Sequence, residues 1–306
     1  LGLVAWAGVV WAADPVAVLT EIRPAGGTVE VKRPEDRDWK VPQPLLGLRP
    51  GDQVRVLGDG RAVLVLAGQG AQIVSQANSP YTVPLPARPT GADRIQSLLG
   101  RVTDALRAQP TPATYRPLWV RSVSSVPVIV APRQTKLLPG PVQFVWSGSD
   151  QLRYRVRLVG PRGLLWEQAD LQYPPYDYPD SAPPLEAGVE YGWELEATGH
   201  PSQHSRFQIL SPADADRIRA DLASVQSGTM PGYPPTTLTV IRAGILLQEG
   251  LYDDARRELA ARIATDPREP TLHHLIGQVY QRTGRADLAA EAFAETDFLT
   301  NRPPER

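Results

Sequence analysis

Near its end this chain repeats itself at an offset of 34 positions: Ala243 with Gly277, Leu246 with Tyr280, Gly250 with Gly284, Ala255 with Ala289, and Leu259 with Phe293. A fixed period of this length marks one supersecondary unit copied and stacked, because a single copy cannot bury its apolar face alone. The residue types suit two antiparallel helices per copy. Small residues let the helices approach closely, the glycine ends the first helix, and the larger apolar residue plugs the gap between neighbours. Asp266-Pro267 and Arg302-Pro303 break helices near the expected boundaries. Two copies bury little surface, so a further helix should cap them, and 211–225 supplies one. Ser211 is its N-cap, Pro212 and Asp214 suit its first turn, and Ala215, Ile218, Leu222 and Val225 form one apolar face.

The pattern resembles the tetratricopeptide (TPR) repeat, with motif positions at Gly250, Tyr252, Ala255, Leu259 and Pro267, then Gly277, Tyr280, Gly284, Ala289 and Phe293. Ala243 and Leu246 stand where that family usually has glycine and tyrosine. The resemblance implies a helical cap plus two repeats over 211–306, with a groove lined by the first helices that takes an extended peptide or a helix. The family's groove positions fall on Thr237, Val240, Leu247, Gln248, Thr271, His274, Gln278, Gln281 and Arg282, the expected contacts to a protein partner. The alternative is that this face is solvated or packs on the preceding domain.

The rest of the chain is long enough for further domains, each with its own core. The 32 prolines of the whole chain cluster between periodic segments, and its 32 basic and 33 acidic residues give a net charge of −1, so neither nucleic acid nor an anionic membrane is the expected partner. There is no cysteine, which excludes disulfides, thiolate chemistry and a lipid anchor on cysteine. Residues 1–13 form an apolar run ending in small residues before Asp14-Pro15, which reads as a signal peptide. The run is too short to span a bilayer, which needs about 20 apolar residues. It opens on leucine with no basic segment ahead of it, so the true start is expected upstream. A buried N-terminal strand or helix is the alternative.

Over 16–83 short β-rich runs alternate with glycine, at 16–19, 28–31, 53–56, 62–66 and 72–75. Gly58-Asp59-Gly60 supplies the positive φ angles of a tight hairpin, and a turn is preferred to phosphate binding because no helix pattern follows. Leu48-Arg49-Pro50-Gly51-Asp52-Gln53-Val54, followed by Gly60-Arg61-Ala62-Val63-Leu64-Val65-Leu66, resembles the FecR domain of bacterial envelope proteins. That resemblance implies a turn at Gly51-Asp52 and a buried face carrying Ala62, Leu64 and Leu66. The best-known members pass an outer-membrane signal to a sigma factor through a cytoplasmic N-terminal segment, which here would lie upstream of Leu1. Residues 84–117 are a proline-rich linker around one amphipathic helix at 92–108, whose face of Ile95, Leu98, Leu99, Val102 and Leu106 should dock on a neighbouring domain or, alternatively, on a membrane or partner helix.

Strict alternation returns over 118–210, in Val142, Phe144 and Trp146; Tyr154, Val156 and Leu158; and Tyr191, Trp193, Leu195 and Ala197. Arg155 and Arg157 on one strand and Glu194 and Glu196 on another predict that these two strands pair. The segment 185–191 resembles the corner before the sixth strand of fibronectin type III sandwiches, with Tyr191 as corner tyrosine, Trp146 in the core, and Ala187 where that family usually has proline. The expected fold class is therefore multidomain α+β: a FecR-like β domain, a linker helix, an Ig/fibronectin-III-like β-sandwich and C-terminal α-helical TPR hairpins.

Chemistry is sparse. His200 and His204 are four apart but sit at a Pro-Ser-Gln turn, which a hairpin explains better than a metal, and the adjacent His273 and His274 face different sides of a helix. Asp214 with Asp216, and Asp253 with Asp254, lie at helix starts, where negative charge is stabilising. No nucleophile elbow, phosphate loop or dinucleotide fingerprint occurs. No catalytic residue, metal or cofactor is expected. Tyr173, Tyr176 and Tyr178, among Pro174, Pro175 and Pro179, are either an edge segment packing on the sandwich or a glycan-stacking platform. The sequence points to an exported, periplasmic or secreted, non-enzymatic bacterial adaptor that holds a protein partner in its TPR groove, with no membrane span in the mature chain. A glycan or peptidoglycan binding module and a FecR-type signalling regulator are the alternatives.

Overall fold

Short alternating runs separated by glycine turns build two antiparallel sheets at the N-terminus. The computed structural model describes residues 15–85, 126–226 and 228–301; the leader over 1–13 and the expected helix over 92–108 lie outside them. Strands β1 (Ala17–Arg23), β3 (Gly47–Leu48), β5 (Arg61–Leu66) and β6 (Gly70–Ser75) form one sheet in the order β3-β1-β5-β6. Strands β2 (Thr28–Lys32), β4 (Gln53–Leu57) and β7 (Tyr81–Thr82) form the other, in the order β2-β4-β7. Leu19, Leu48, Val54, Val56, Ala62 and Leu64 close the core between them.

The turn at 58–60 is present, but β4 and β5 belong to different sheets, so it is a corner between sheets rather than the expected hairpin. Positive φ at Gly58 describes a tight turn without saying which sheet the next strand joins. Gly27 lies against this corner so closely that a Cβ there would fall 1.8 Å from the Leu57 carbonyl oxygen.

The second region is a sandwich of a three-stranded and a five-stranded sheet. The smaller has the order β13-β10-β8, from β8 (Val128–Ala131), β10 (Gln143–Ser147) and β13 (Tyr176–Asp177). The larger has the order β12-β11-β14-β15-β9, from β9 (Thr135–Leu137), β11 (Tyr154–Gly160), β12 (Gly163–Leu171), β14 (Glu190–Ala197) and β15 (Gln203–Ile209). It is a mixed sheet because β9 runs parallel to β15. The strands β11 and β14 pair as the charges predict, Arg155 opposite Glu196 and Arg157 opposite Glu194. Phe144, Trp146, Tyr154, Tyr191, Trp193 and Phe207 fill the space between the sheets.

Five helices follow: α1 (Pro212–Ser224), α2 (Pro235–Glu249), α3 (Tyr252–Thr265), α4 (Pro270–Arg282) and α5 (Ala286–Thr300). Ser211 Oγ accepts the Asp214 N–H at 3.2 Å and caps α1, whose Ala215, Ile218 and Val225 are buried. The helices pack in pairs, α2 with α3 and α4 with α5, each first helix ending at a left-handed glycine, Gly250 (φ 81) or Gly284 (φ 73). Gly277 meets the Phe293 ring so closely that an added Cβ would lie 2.7 Å from it. Among the described residues no helix is long and apolar enough to cross a membrane.

The helices join the two β regions. The β8–β9 loop and β9 hold the two helix-pair turns: Lys136 N of β9 donates to Gly250 O at 2.8 Å, and Arg133 Nε of the loop to Thr283 O at 2.6 Å. On the other side Val18, Leu45 and Val65 of the N-terminal sheets share one apolar core with Leu238, Ile241 and Ile245 of α2.

Candidate functional site

Strand β1 is paired on both sides only over its first residues, because β3 reaches no further than Ala17 and Val18. Beyond them the register against β5 slips between Leu19 and Glu21, leaving Thr20 to Arg23 with an edge that faces the helices. An open edge inside a protein needs partners for its N–H groups. Glu269 at the start of α4 supplies one for Ile22, and α2 is tied to the same edge through the Glu21 side chain.

Glu269, at the N-cap of α4, accepts the Ile22 N–H on Oε1 at 2.9 Å and the Thr271 N–H at 3.3 Å. In return Glu21 Oε1 accepts the Thr237 N–H at 2.9 Å and its hydroxyl at 2.6 Å. Thr20 Oγ1 lies 3.2 Å from Thr237 Oγ1. The Arg23 Nε lies 3.7 Å from Glu21 Oε2 and 3.5 Å from Glu269 Oε2, Arg61 Nη2 is 2.5 Å from Glu21 Oε2, and Arg23 also pairs with Asp266. Thr236 donates its hydroxyl to Asp266 at 2.7 Å.

Both glutamates are fully buried. Burial pushes the Glu269 carboxyl up to about 8; the Ile22 N–H opposes that shift, and the nearby Glu21 charge adds to it. Two carboxylates can be buried together here because two arginines and three N–H donors are buried or half-buried with them. The arrangement is sealed from any substrate of appreciable size, and what it does is hold two parts of the chain together.

The nine expected groove contacts do lie on α2 and α4, and the structure divides them. Thr237, Val240, Leu247, Thr271 and Gln278 are buried, so they are not open surface in this conformation. His274 is half-buried, accepts from Gln278 Nε2 at 2.9 Å, and is pushed by burial down to about 4, which keeps it neutral. Gln248, Gln281 and Arg282 are exposed, with Arg282 Nη1 3.3 Å from Leu247 O. The face is thus closed in its N-terminal part, and what closes it is the N-terminal β region rather than the preceding sandwich. Glu21, Arg23, Arg61 and Glu269 were not anticipated from the sequence.

The three tyrosines do not share one exposed plane. Tyr176 stacks on Trp166 at 5.9 Å, Tyr178 meets the same ring edge-on at 5.3 Å and donates its hydroxyl to Pro183 O at 2.6 Å, and Tyr173 alone is largely exposed. His200 lies in the turn between β14 and β15, and His204 on β15 faces Glu194 at 3.6 Å. Asp253 pairs with Arg256 at 2.8 Å and Asp254 with Arg257, both in the first turns of α3. A crevice of about 340 Å³ beside them, between β9–β10 and α1–α3, is walled by Leu137, Pro139 and Val142 on one side and by Arg219, Arg256 and Arg257 on the other. Each of those guanidinium groups already has an aspartate. No family model matches this chain, and no curated protein matches it in sequence.

Proposed function

We propose that this chain is a non-catalytic scaffold of the bacterial cell envelope whose helical repeats hold protein segments against the face of their first helices. The observation that carries the reading is the seating of β1 on α2 and α4, where Thr237, at an expected groove position, donates to the Glu21 carboxylate, and Glu269, two residues before the expected position Thr271, accepts the Ile22 N–H. A face that recognises an extended segment in this manner suits protein ligands. Export rests on the apolar leader, and the partner is expected among envelope proteins.

The finer family likenesses support the same picture. For TPR-like repeats, the 34-residue offset coincides with the helix pairs and with the close contact of Gly277 and Phe293. A fibronectin-III-like sandwich is supported by Tyr191, at the start of β14, whose hydroxyl accepts the Glu186 N–H at 2.7 Å. The two small sheets at the N-terminus agree with a FecR-like domain. The glycan alternative has less support, because two of its three tyrosines are committed to packing.

A photo-crosslinking side chain placed at Gln281, and separately at Tyr173, tests the proposal in intact cells. Protein adducts from position 281 are expected. Adducts to cell-wall material from position 173, with none from position 281, would replace the scaffold with a glycan-binding module.

A further inference from the structure

We propose that the N-terminal β unit and the helical repeats form a proton-linked latch, in which docking of the β1 edge onto α2 and α4 takes up one proton at Glu269. The geometry carries it. Two fully buried carboxylates, Glu21 from the β unit and Glu269 from the repeats, meet at one arginine, Arg23, whose Nε is 3.7 and 3.5 Å from them. The charged groups facing the pair are Arg23 on β1, Arg61 on β5 and Asp266 at the end of α3, while α2 presents the uncharged hydroxyls of Thr236 and Thr237 and the Thr237 N–H. Counting both carboxylates and Asp266, three acidic groups face two guanidinium groups. Protonating one carboxyl balances the cluster.

Undocking would return Glu269 to water, where it titrates at its ordinary 4.5, whereas docked it titrates near 8. The docked form therefore binds the proton more tightly. Docking is strongest below the ordinary value and weakens as pH rises through about 8, by at most about tenfold per pH unit. The aliphatic contact of Val18, Leu45 and Val65 is independent of pH and sets the baseline. That the bared face would then receive an outside partner rests on the scaffold reading; the proton linkage does not.

Hydrogen exchange on the intact chain measures the latch directly, because the Ile22 and Thr237 amides donate to the two glutamates. After correction for intrinsic exchange, the opening constant of these amides should rise up to about tenfold per unit between pH 5.5 and 8, while amides of the sandwich core stay constant. Glu269→Gln keeps the shape and removes the titration, so its opening constant should be flat. Equal opening at pH 5.5 and 8.5 in the native chain, or a parallel rise in the Gln variant, would overturn the latch. So would a rise shared by the sandwich amides, which would mark global loosening. A failed latch with adducts still forming at Gln281 leaves the scaffold standing; a working latch without adducts removes the scaffold alone.

Discussion

Glu21 and Thr237, separated by 216 positions, form a pair in which one carboxylate oxygen accepts both the backbone N–H and the hydroxyl of the threonine, at 2.9 and 2.6 Å. Both residues are fully buried. The pair joins β1 to α2, so the docking of the N-terminal β unit on the repeats depends on it. Replacing Glu21 with alanine leaves Arg61 and Thr237 without their carboxylate, while Arg23 keeps Asp266, and should cost about 3–5 kcal/mol. Thr237→Val removes one donor at constant shape and should cost about 1–3 kcal/mol. Urea denaturation of both variants checks the order; equal effects, or none, would show that the contact is not formed in solution.

Gly277 illustrates a different constraint, on space rather than charge. A Cβ at this position would sit 2.7 Å from the Phe293 ring, and that ring is wedged between α4 and α5. Gly277→Ala should lower stability by about 1–3 kcal/mol through overpacking. Phe293→Leu should relieve part of that cost, so a double-mutant cycle by thermal melting should give a favourable coupling. Additive effects would mean that the two helices do not meet there.

The ion pairs of the sandwich look similar on paper but should behave unlike the buried pair. Arg157 lies 2.6 Å from Glu196, with the two side chains 32% and 27% exposed. Solvent screens such a pair, so Arg157→Ala should lower the melting temperature only slightly, and less in high salt. A large drop in melting temperature that persists in molar salt would contradict this.

Local patterns of the fold were readable, and long-range ones were not. Alternation and opposite charge located the pairing of β11 with β14, because both are properties of neighbouring residues. The cap at Ser211 and the turns at Gly250 and Gly284 were legible for the same reason. The corner at 58–60 was misassigned, since a turn does not state which sheet receives the next strand. Nothing in the sequence singled out Glu21 or Glu269, because the contacts that join them across the fold, Ile22 with Glu269 and Glu21 with Thr237, link residues more than 200 positions apart. One signal was available and unused. The strand Arg61–Leu66 is apolar at every position after its first, and a run without alternation marks burial on both faces, here by Val63 and Val65 as well as Ala62 and Leu64. That run predicts a second layer over the β unit, which the helices provide.

The central claim is that the helical face is occupied by β1 of the same chain, and the absence of native cysteine makes it directly testable. Thr20 Oγ1 and Thr237 Oγ1 are 3.2 Å apart, so Thr20→Cys together with Thr237→Cys places two thiols within bonding reach. Mild oxidation of the purified double variant should close an intramolecular disulfide in a monomer, read as a shifted band on a non-reducing gel and as a single linked peptide by mass spectrometry. Thiols that stay free, or that link only different chains, would contradict the account.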